Sequence, residues 1–270
     1  MDSLQGSIAV VTGAGSGIGR GIALALAKRG VHTVVADLSE QRAHEAAKHV
    51  HETTGVDVLA VQVDVSDQSQ VERLADRSFD RFGNVDILCN NAGTATVGYC
   101  WEIPLSDWQF VLGVNLMGAV HGVRAFLPRM LSEGRAGHVV NTSSMAGLVP
   151  VPLKAPYVAS KHALVGFSKT LRSELESIGA PIGVSVVCPG PVATKIIDDE
   201  IARYDASGDI DPASQAVLDG LKTVVDSGIS GEQAGEIVVD AVAHNHFWVF
   251  PNSEDYFGAV DAEFAEMRAR

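Results

Sequence analysis

Residues 7–19, SIAVVTGAGSGIG, constrain the fold of this 270-residue chain more than any other stretch. The β-branched run over 7–12, bounded by Gly6 and Gly13, reads as a buried strand. It leads into Gly13-Ala14-Gly15-Ser16-Gly17-Ile18-Gly19 and then an Ala/Leu-rich helical stretch to Arg29. Strand, glycine turn and helix in that order aim free backbone N–H groups and a positive dipole end at one point, which suits a pyrophosphate. The glycines are needed there because a Cβ would block the turn or the approach of a ligand. A plain glycine-rich turn shares this outline, so its meaning depends on the segments C-terminal to it. Nothing Pro- or Ser-rich divides the chain, and 46% hydrophobic with 20% charged residues suits a soluble α/β protein.

The second strand, 31–37, ends in Asp37, eighteen residues after Gly19. A carboxylate at that place can accept both hydroxyls of an adenosine ribose and repel a 2′-phosphate. The alternative is that Asp37 caps the following helix. Further on, residues 144–161 read SMAGLVPVPLKAPYVASK. Tyr157 and Lys161 are four apart, and with Pro156 in a first helical turn they stack on one helix face. An ammonium close to a phenol favours the phenolate; moving a Tyr pKa of about 10 down by ~3 units takes roughly 4 kcal/mol. Ser144, thirteen residues before Tyr157, has to arrive from a separate strand end. An ordinary surface contact between Tyr157 and Lys161 is the alternative.

Taken together, TGAGSGIG, the Asn90-Asn91-Ala92-Gly93 turn and the Ser144, Tyr157, Lys161 set resemble the short-chain dehydrogenase/reductase family, from about residue 6 to 194 and more loosely to 250. The resemblance implies an α/β fold, a Rossmann-type doubly wound parallel sheet flanked by helices on both faces, as a single domain over 1–270. Within it, 6–194 would form the cofactor-binding and catalytic core, 195–230 a substrate lid, and 231–270 a C-terminal helix, strand and tail. It implies NAD as cofactor, because the positions that carry a basic residue in NADP-preferring relatives hold Ser16 and Leu38 here. Arg20 leaves dual use open.

The family's cofactor contacts fall on Gly13, Ser16, Gly17, Ile18, Gly19, Asp37, Leu38, Asp64, Val65, Asn91, Ala92, Gly93, Pro189, Gly190, Val192 and Thr194, together with Tyr157 and Lys161. By resemblance, Asp64 and Val65 touch adenine, while the 90–93 turn lines the adenine-ribose side and its asparagines brace the sheet. Val192 and Thr194 hold the nicotinamide carboxamide, and Thr194 could double as an N-cap. Tyr157 would take the proton of a secondary alcohol as hydride leaves its carbon, with Ser144 on the substrate oxygen. Lys161 would lower the Tyr157 pKa and bind ribose. Asn115 would hold a water beside the lysine; a satisfied structural amide is its alternative.

The remaining expectations concern packing, partners and substrate. Residues 106–130 read as one long helix capped by Ser106 or Asp107 and ended by Pro128, and Trp101, Ile103, Leu105 and Trp108 as packing groups. The helix over 157–178 has a face of Ala163, Val165, Phe167, Leu171 and Leu175 that must bury, and relatives often pair such helices between subunits, so a dimer or tetramer is expected. Residues 195–230, with Gly208, Pro212, Gly220 and Gly228, read as a mobile lid or a plain surface excursion, and 253–270 as a docked amphipathic helix. His44, His49 and His51 suit a solvated face, with no metal site. A net charge of −13 speaks against nucleic acid. No apolar run approaches twenty residues and MDSLQGS is no signal peptide, so a cytoplasmic protein with no membrane partner is expected, its three cysteines buried and reduced. Ala95, Thr96, Ala146, Leu148, Val151, Leu153, Ile196 and Ile197 would face the substrate with no fixed cation, which suits a neutral, hydrophobic secondary alcohol or ketone. Two rivals remain: a non-catalytic NAD-binding sensor, which should lack part of the Ser–Tyr–Lys set, and a sugar-nucleotide epimerase or dehydratase, which should run longer.

Overall fold

Alternating short apolar strands and amphipathic helices close here on one parallel sheet. The computed structural model describes residues 4–207 and 212–269. Strands β1 (Ile8–Thr12), β2 (His32–Asp37), β3 (Val58–Gln62), β4 (Ile87–Asn90), β5 (Gly137–Thr142) and β6 (Ile182–Val187) come in sequence, then β7 (Val192–Ala193), β8 (Ile229–Ser230) and β9 (Trp248–Val249). Among the described residues the main sheet has seven strands in the order β3-β2-β1-β4-β5-β6-β9, all parallel. The chain winds outward from β1 to β3, then returns to β4 on the other side of β1. The strand order therefore reverses between β1 and β4, where open α/β sheets form a crevice at the carboxyl ends of their strands.

Side-chain alternation sends each strand into two cores. Ile8 and Val10 of β1 join a cluster with Leu74, Phe126 and Val165, carried by α3 (Gln68–Phe82), α5 (Gly118–Glu133) and α6 (Ala155–Ser177). Ala9 and Val11 face the opposite layer, with Ile22, Val50 and Val238 from α1 (Gly17–Lys28), α2 (Glu40–Thr54) and α9 (Gly231–Ala243). Burial on both faces accounts for the near-continuous apolar character of the strands. This is the doubly wound α/β architecture expected from the sequence.

Several local expectations are corrected. The helix expected over 106–130 is α4 (Leu105–Leu112), a π-helical turn over Gly113–Met117, and α5. Pro104 stands at its cap position and makes no side-chain cap bond, so neither Ser106 nor Asp107 caps it; the fixed φ of proline starts the helix one residue sooner. Pro128 lies inside α5, which continues to a left-handed Gly134. The rod from Leu105 to Glu133 is long and apolar enough to cross a membrane by length and composition, although no uninterrupted apolar run of twenty exists; half of its most apolar window is buried inside the molecule. Trp101 and Leu105 are 75% and 71% exposed, so only Ile103 and the half-buried Trp108 pack as expected. Val165, Leu171 and Leu175 of α6 bury in the chain's own core, not against another subunit.

Residues 195–230 are mostly helical: α7 (Ile196–Ser207) and α8 (Pro212–Asp226) precede β8, and Gly208 lies outside the described residues. In the tail a 3₁₀ turn over Glu254–Tyr256 leads to α10 (Phe257–Arg268), which is docked only at its start. Tyr256 and Val260 rest on the core while Phe264 and Met267 are exposed. The buried Ser253 hydroxyl, donating to the Cys188 carbonyl at 2.8 Å, anchors that start. Cys89 and Cys188 are buried and free; Cys100, against expectation, is exposed.

Helices α1 and α9 touch backbone to backbone. A Cβ on Gly21 would overlap the Gly231 carbonyl, and one on Gly235 would overlap the Gly21 carbonyl. Gly21→Ala is expected to lower stability by about 1–3 kcal/mol through overpacking, read as a reduced midpoint in urea.

Candidate active site

The carboxyl ends of β1, β4 and β5 are clamped together by polar groups that sequence spacing brings into register. The Thr12 hydroxyl oxygen accepts from the Asn91 and Ala92 amides at 3.0 and 3.2 Å. The Asn91 side chain donates to the Thr12 carbonyl at 3.1 Å and accepts from the Thr142 hydroxyl at 3.1 Å. Asn90, fully within the sheet, donates to Asn141 at 2.9 Å. Beyond this clamp a cleft of about 610 Å³ opens, reaching from Asp37 and Leu38 to Ser144, Tyr157 and Lys161.

At one end lies the glycine turn. Gly17 has φ +50°, and a Cβ there would stand 2.8 Å from a Thr194 methyl. Helix α1 begins without a side-chain cap and without an acid in its first turn, which leaves its positive end open to the cleft. Gly13, Ser16, Gly17 and Ile18 border the cleft; Gly19 does not. Gly19 is buried, and its Cβ would press on Asn91 Nδ2, so it serves packing and not contact. Asp37 is 7% exposed, its Oδ2 accepting from the Gly15 amide at 2.9 Å and its Oδ1 from the Ser39 amide at 3.0 Å. Ser39, not Asp37, caps α2. Leu38, Asp64, Val65, Asn91, Ala92, Gly93, Pro189, Gly190, Val192 and Thr194 all line the same cleft. The Gly190 amide, however, is already donated to the Pro251 carbonyl and the Ser253 hydroxyl, each at 3.0 Å. An uncapped helix start, two glycines that no Cβ may replace, and a buried carboxylate along one elongated cleft fit a dinucleotide.

At the other end stand Ser144, Tyr157 and Lys161. Ser144 leaves the end of β5 and accepts from the Ala146 amide at 3.1 Å, while Ser143 points away, donating to the Lys161 carbonyl at 2.9 Å. Pro156 in the first turn of α6 puts Tyr157 on the cleft, and Lys161, one turn on, sits with Nζ 5.5 Å from the Tyr157 ring centre. Lys161 is 3% exposed and donates to the Thr142 carbonyl at 2.8 Å. Burial lowers its pKa to about 8. Against the expected lowering, burial raises the Tyr157 pKa, the Ser144 hydrogen bond pulling only partly back.

Asn115 does not reach the cleft. It lies in the π turn, 2% exposed, accepting from the Thr94 amide at 2.8 Å and donating to the Thr94 carbonyl and the Ser160 hydroxyl, each at 2.9 Å. Its side chain is a satisfied amide that pins the 93–94 loop beside Lys161.

The substrate-facing wall carries charges that sequence reasoning missed. Ala95, Ala146, Val151, Ile196 and Ile197 line the cleft, whereas Thr96, Leu148 and Leu153 do not. Lys154 and Arg203 line it too, against the expectation of no fixed cation. Lys154 Nζ lies 2.7 Å from both carboxylate oxygens of Glu200, and each residue is 3% exposed. Burial pushes the Glu200 carboxyl up and the Lys154 amine down, each partly offset by its partner. The Arg203 guanidinium lies 4.8 Å from the Phe110 ring centre and 3.9 Å from Asp107. At the nucleotide end Arg42 stands beside Asp37. These groups sit far apart in sequence or on polar helices, and no local pattern marks them. Among the described residues no three His, Cys, Asp or Glu side chains gather as a metal site; His44 and His51 hydrogen-bond to backbone carbonyls through Nδ1.

Comparison with known proteins agrees with this geometry. Residues 7–205 match the family model for short chain dehydrogenase. The chain is 37% identical over 257 residues to the 1-deoxy-11-beta-hydroxypentalenate dehydrogenase of Streptomyces avermitilis, covering 93% of this chain and 86% of that protein. It superposes with a TM-score of 0.93 at 36% identity on a short chain dehydrogenase/reductase from Burkholderia phymatum in complex with NAD, covering 99% and 97% of the two chains. L-sorbose reductase from Gluconobacter frateurii, complexed with NADPH and L-sorbose, aligns with a TM-score of 0.79 at 31% identity over 93% of this chain and 97% of that one. The chain belongs to the short-chain dehydrogenase family. It is an oxidoreductase with a fold that binds a nicotinamide cofactor, and its relatives act on hydroxyl groups.

A group with a lowered basic pKa destabilises the fold while it is charged. Lys161, at about 8 in the fold against about 10.4 unfolded, exacts that cost fully below pH 8 and sheds it as pH rises toward the unfolded value. The difference is worth roughly 3 kcal/mol, and losing the bond to the Thr142 carbonyl offsets about 1 of it, so Lys161→Met should raise stability at pH 7 by about 2 kcal/mol. That gain should shrink between pH 8 and 10.5, which urea melts at several pH values can measure.

Proposed function

We propose that this protein is an NAD-dependent dehydrogenase that interconverts a hydrophobic secondary alcohol and its ketone, with Tyr157 as the general acid and base. The observation carrying this reading is the meeting of Ser144, Tyr157 and Lys161 at one end of a cleft whose other end holds the glycine turn and Asp37. When bound, the nicotinamide ring supplies the hydride acceptor or donor. Every other task falls to side chains of this chain. The Ser144 hydroxyl holds the substrate oxygen and stabilises the charge that develops on it. Tyr157 accepts the alcohol proton in one direction and returns it in the other. Lys161, charged below pH 8, counters the phenolate that forms transiently. Asn115 acts through position, fixing the loop before Thr94.

The largely apolar wall supports a hydrophobic substrate body, since Lys154 is neutralised by Glu200 and Arg203 leans on Phe110. NAD is favoured because Asp37 borders the cleft, held rigidly by two backbone amides. The test is NADH formation at 340 nm across hydrophobic secondary alcohols. Tyr157→Phe is expected to lower kcat by about 10³-fold or more while NADH still binds. Turnover that survives the substitution would remove Tyr157 from the chemistry.

A homo-oligomer is part of the same reading. Leu105 and Met117 leave apolar side chains exposed on α4 and the π turn, 71% and 41% exposed. Sedimentation should give a mass of at least two chains, and Leu105→Lys with Met117→Lys should reduce it; a monomeric parent chain rejects this part.

A further inference from the structure

One cation at the nucleotide end is shared between the two lips of the cleft. Arg42, in the first turn of α2, donates through Nη1 to both Asp199 oxygens at 2.9 and 3.3 Å, while its Nε stands 3.9 Å from Asp37 Oδ1. Arg42, Asp37 and Asp199 all border the same cleft. Asp37 is locked by the Gly15 and Ser39 amides, whereas Asp199, in the first turn of α7, has a side chain 55% exposed. The pair thus joins the fixed wall of the site to the helix covering it.

We propose that Arg42 and Asp199 together decide between NAD and NADP: Asp199 occupies the guanidinium that stands beside Asp37, where a 2′-phosphate would need it. This rests on the dinucleotide reading above. The 2′-hydroxyl of NAD needs an acceptor, which Asp37 provides. A 2′-phosphate instead brings a charge of about −1.5 to −2 against that buried carboxylate and needs a cation to offset it. Arg42 stands where that cation is required, but while it is bonded to Asp199 the phosphate meets two carboxylates and one guanidinium. To gain the bidentate contact that a guanidinium offers a phosphate, it has to displace Asp199 and so unhook α7 from the nucleotide wall. Discrimination against NADP therefore depends on a residue of the covering helix as well as on Asp37.

Dissociation constants for NADH and NADPH, measured by quenching of protein fluorescence at low salt, test this without any substrate. Asp199→Ala is expected to raise NADPH affinity relative to NADH by roughly 5-fold or more, since it frees a half-exposed cation. Adding Arg42→Ala should return the ratio to the parent value or below it. Asp199→Asn, which keeps the side-chain volume, should move the ratio in the same direction and carries the comparison if the alanine variant folds poorly. An unchanged ratio in both Asp199 variants, or a gain that persists without Arg42, overturns the proposal. Failure of the parent chain to bind either nucleotide overturns the dinucleotide reading, and this selector with it.

Discussion

The start of α1 is fixed from three sides by close contacts, two to backbone and one to the Thr194 side chain, and the rest of the site depends on that arrangement. Gly13 presses on the Ala92 backbone below it, Thr194 lies against Gly17, and Gly231 of α9 approaches the Gly17 carbonyl. None of these positions has room for a side chain. The contact therefore does two things at once. It keeps the uncapped amides of α1 at the surface of the cleft, and it sets the height of the segment carrying Val192, Thr194 and α7. Separating α1 from α9 would widen the nucleotide end and lift the covering helix together, because both hang on the same few close approaches.

Three of the cations bordering the cleft show how differently one fold can treat a positive charge. Lys161 is buried with only a carbonyl for company, so its neutral form gains ground. Lys154, equally buried, is held by both oxygens of Glu200. Arg42 remains half-wet and divides its charge between two acids. An unpaired buried ammonium costs stability, and a fold retains one where another need outweighs that cost. Lys161 is the one of the three that sits over a phenol, and burial shifts both groups toward their neutral forms while leaving the lysine charged below pH 8.

Much of this was legible in the sequence because it is local. The strand–glycine–helix unit, the acid ending β2, the asparagine turn after β4 and the i, i+4 spacing of Tyr157 and Lys161 each specify geometry over a few residues. What stayed hidden is of two kinds. One is backbone that no side-chain pattern encodes, such as the π turn at Gly113–Met117 that puts Asn115 inward while Pro128 leaves α5 intact. The other is contact between distant segments. Nothing local marks Arg42 until α7 arrives beside it, or singles out Glu200 from its acidic neighbours until it is found against Lys154. Gly19 shows the converse: local spacing cannot separate a glycine that serves a ligand from one that serves packing, since both simply lack a Cβ.

The neighbouring acids of α7 carry that asymmetry into the behaviour of the cleft. Successive residues on a helix point about 100° apart, so Asp199 can reach the nucleotide wall while Glu200 turns inward to α6. Exposed ion pairs are worth about 1 kcal/mol or less, whereas removing one partner of a buried pair costs about 3–5 kcal/mol. The tie at Asp199 is therefore the weaker of the two by a wide margin. Helix α7 is pinned at the substrate end, next to Tyr157, and only lightly held over the nucleotide. Of the two ties, the Asp199 side can let go without stranding a buried charge, so the nucleotide end is where the fold can most cheaply open.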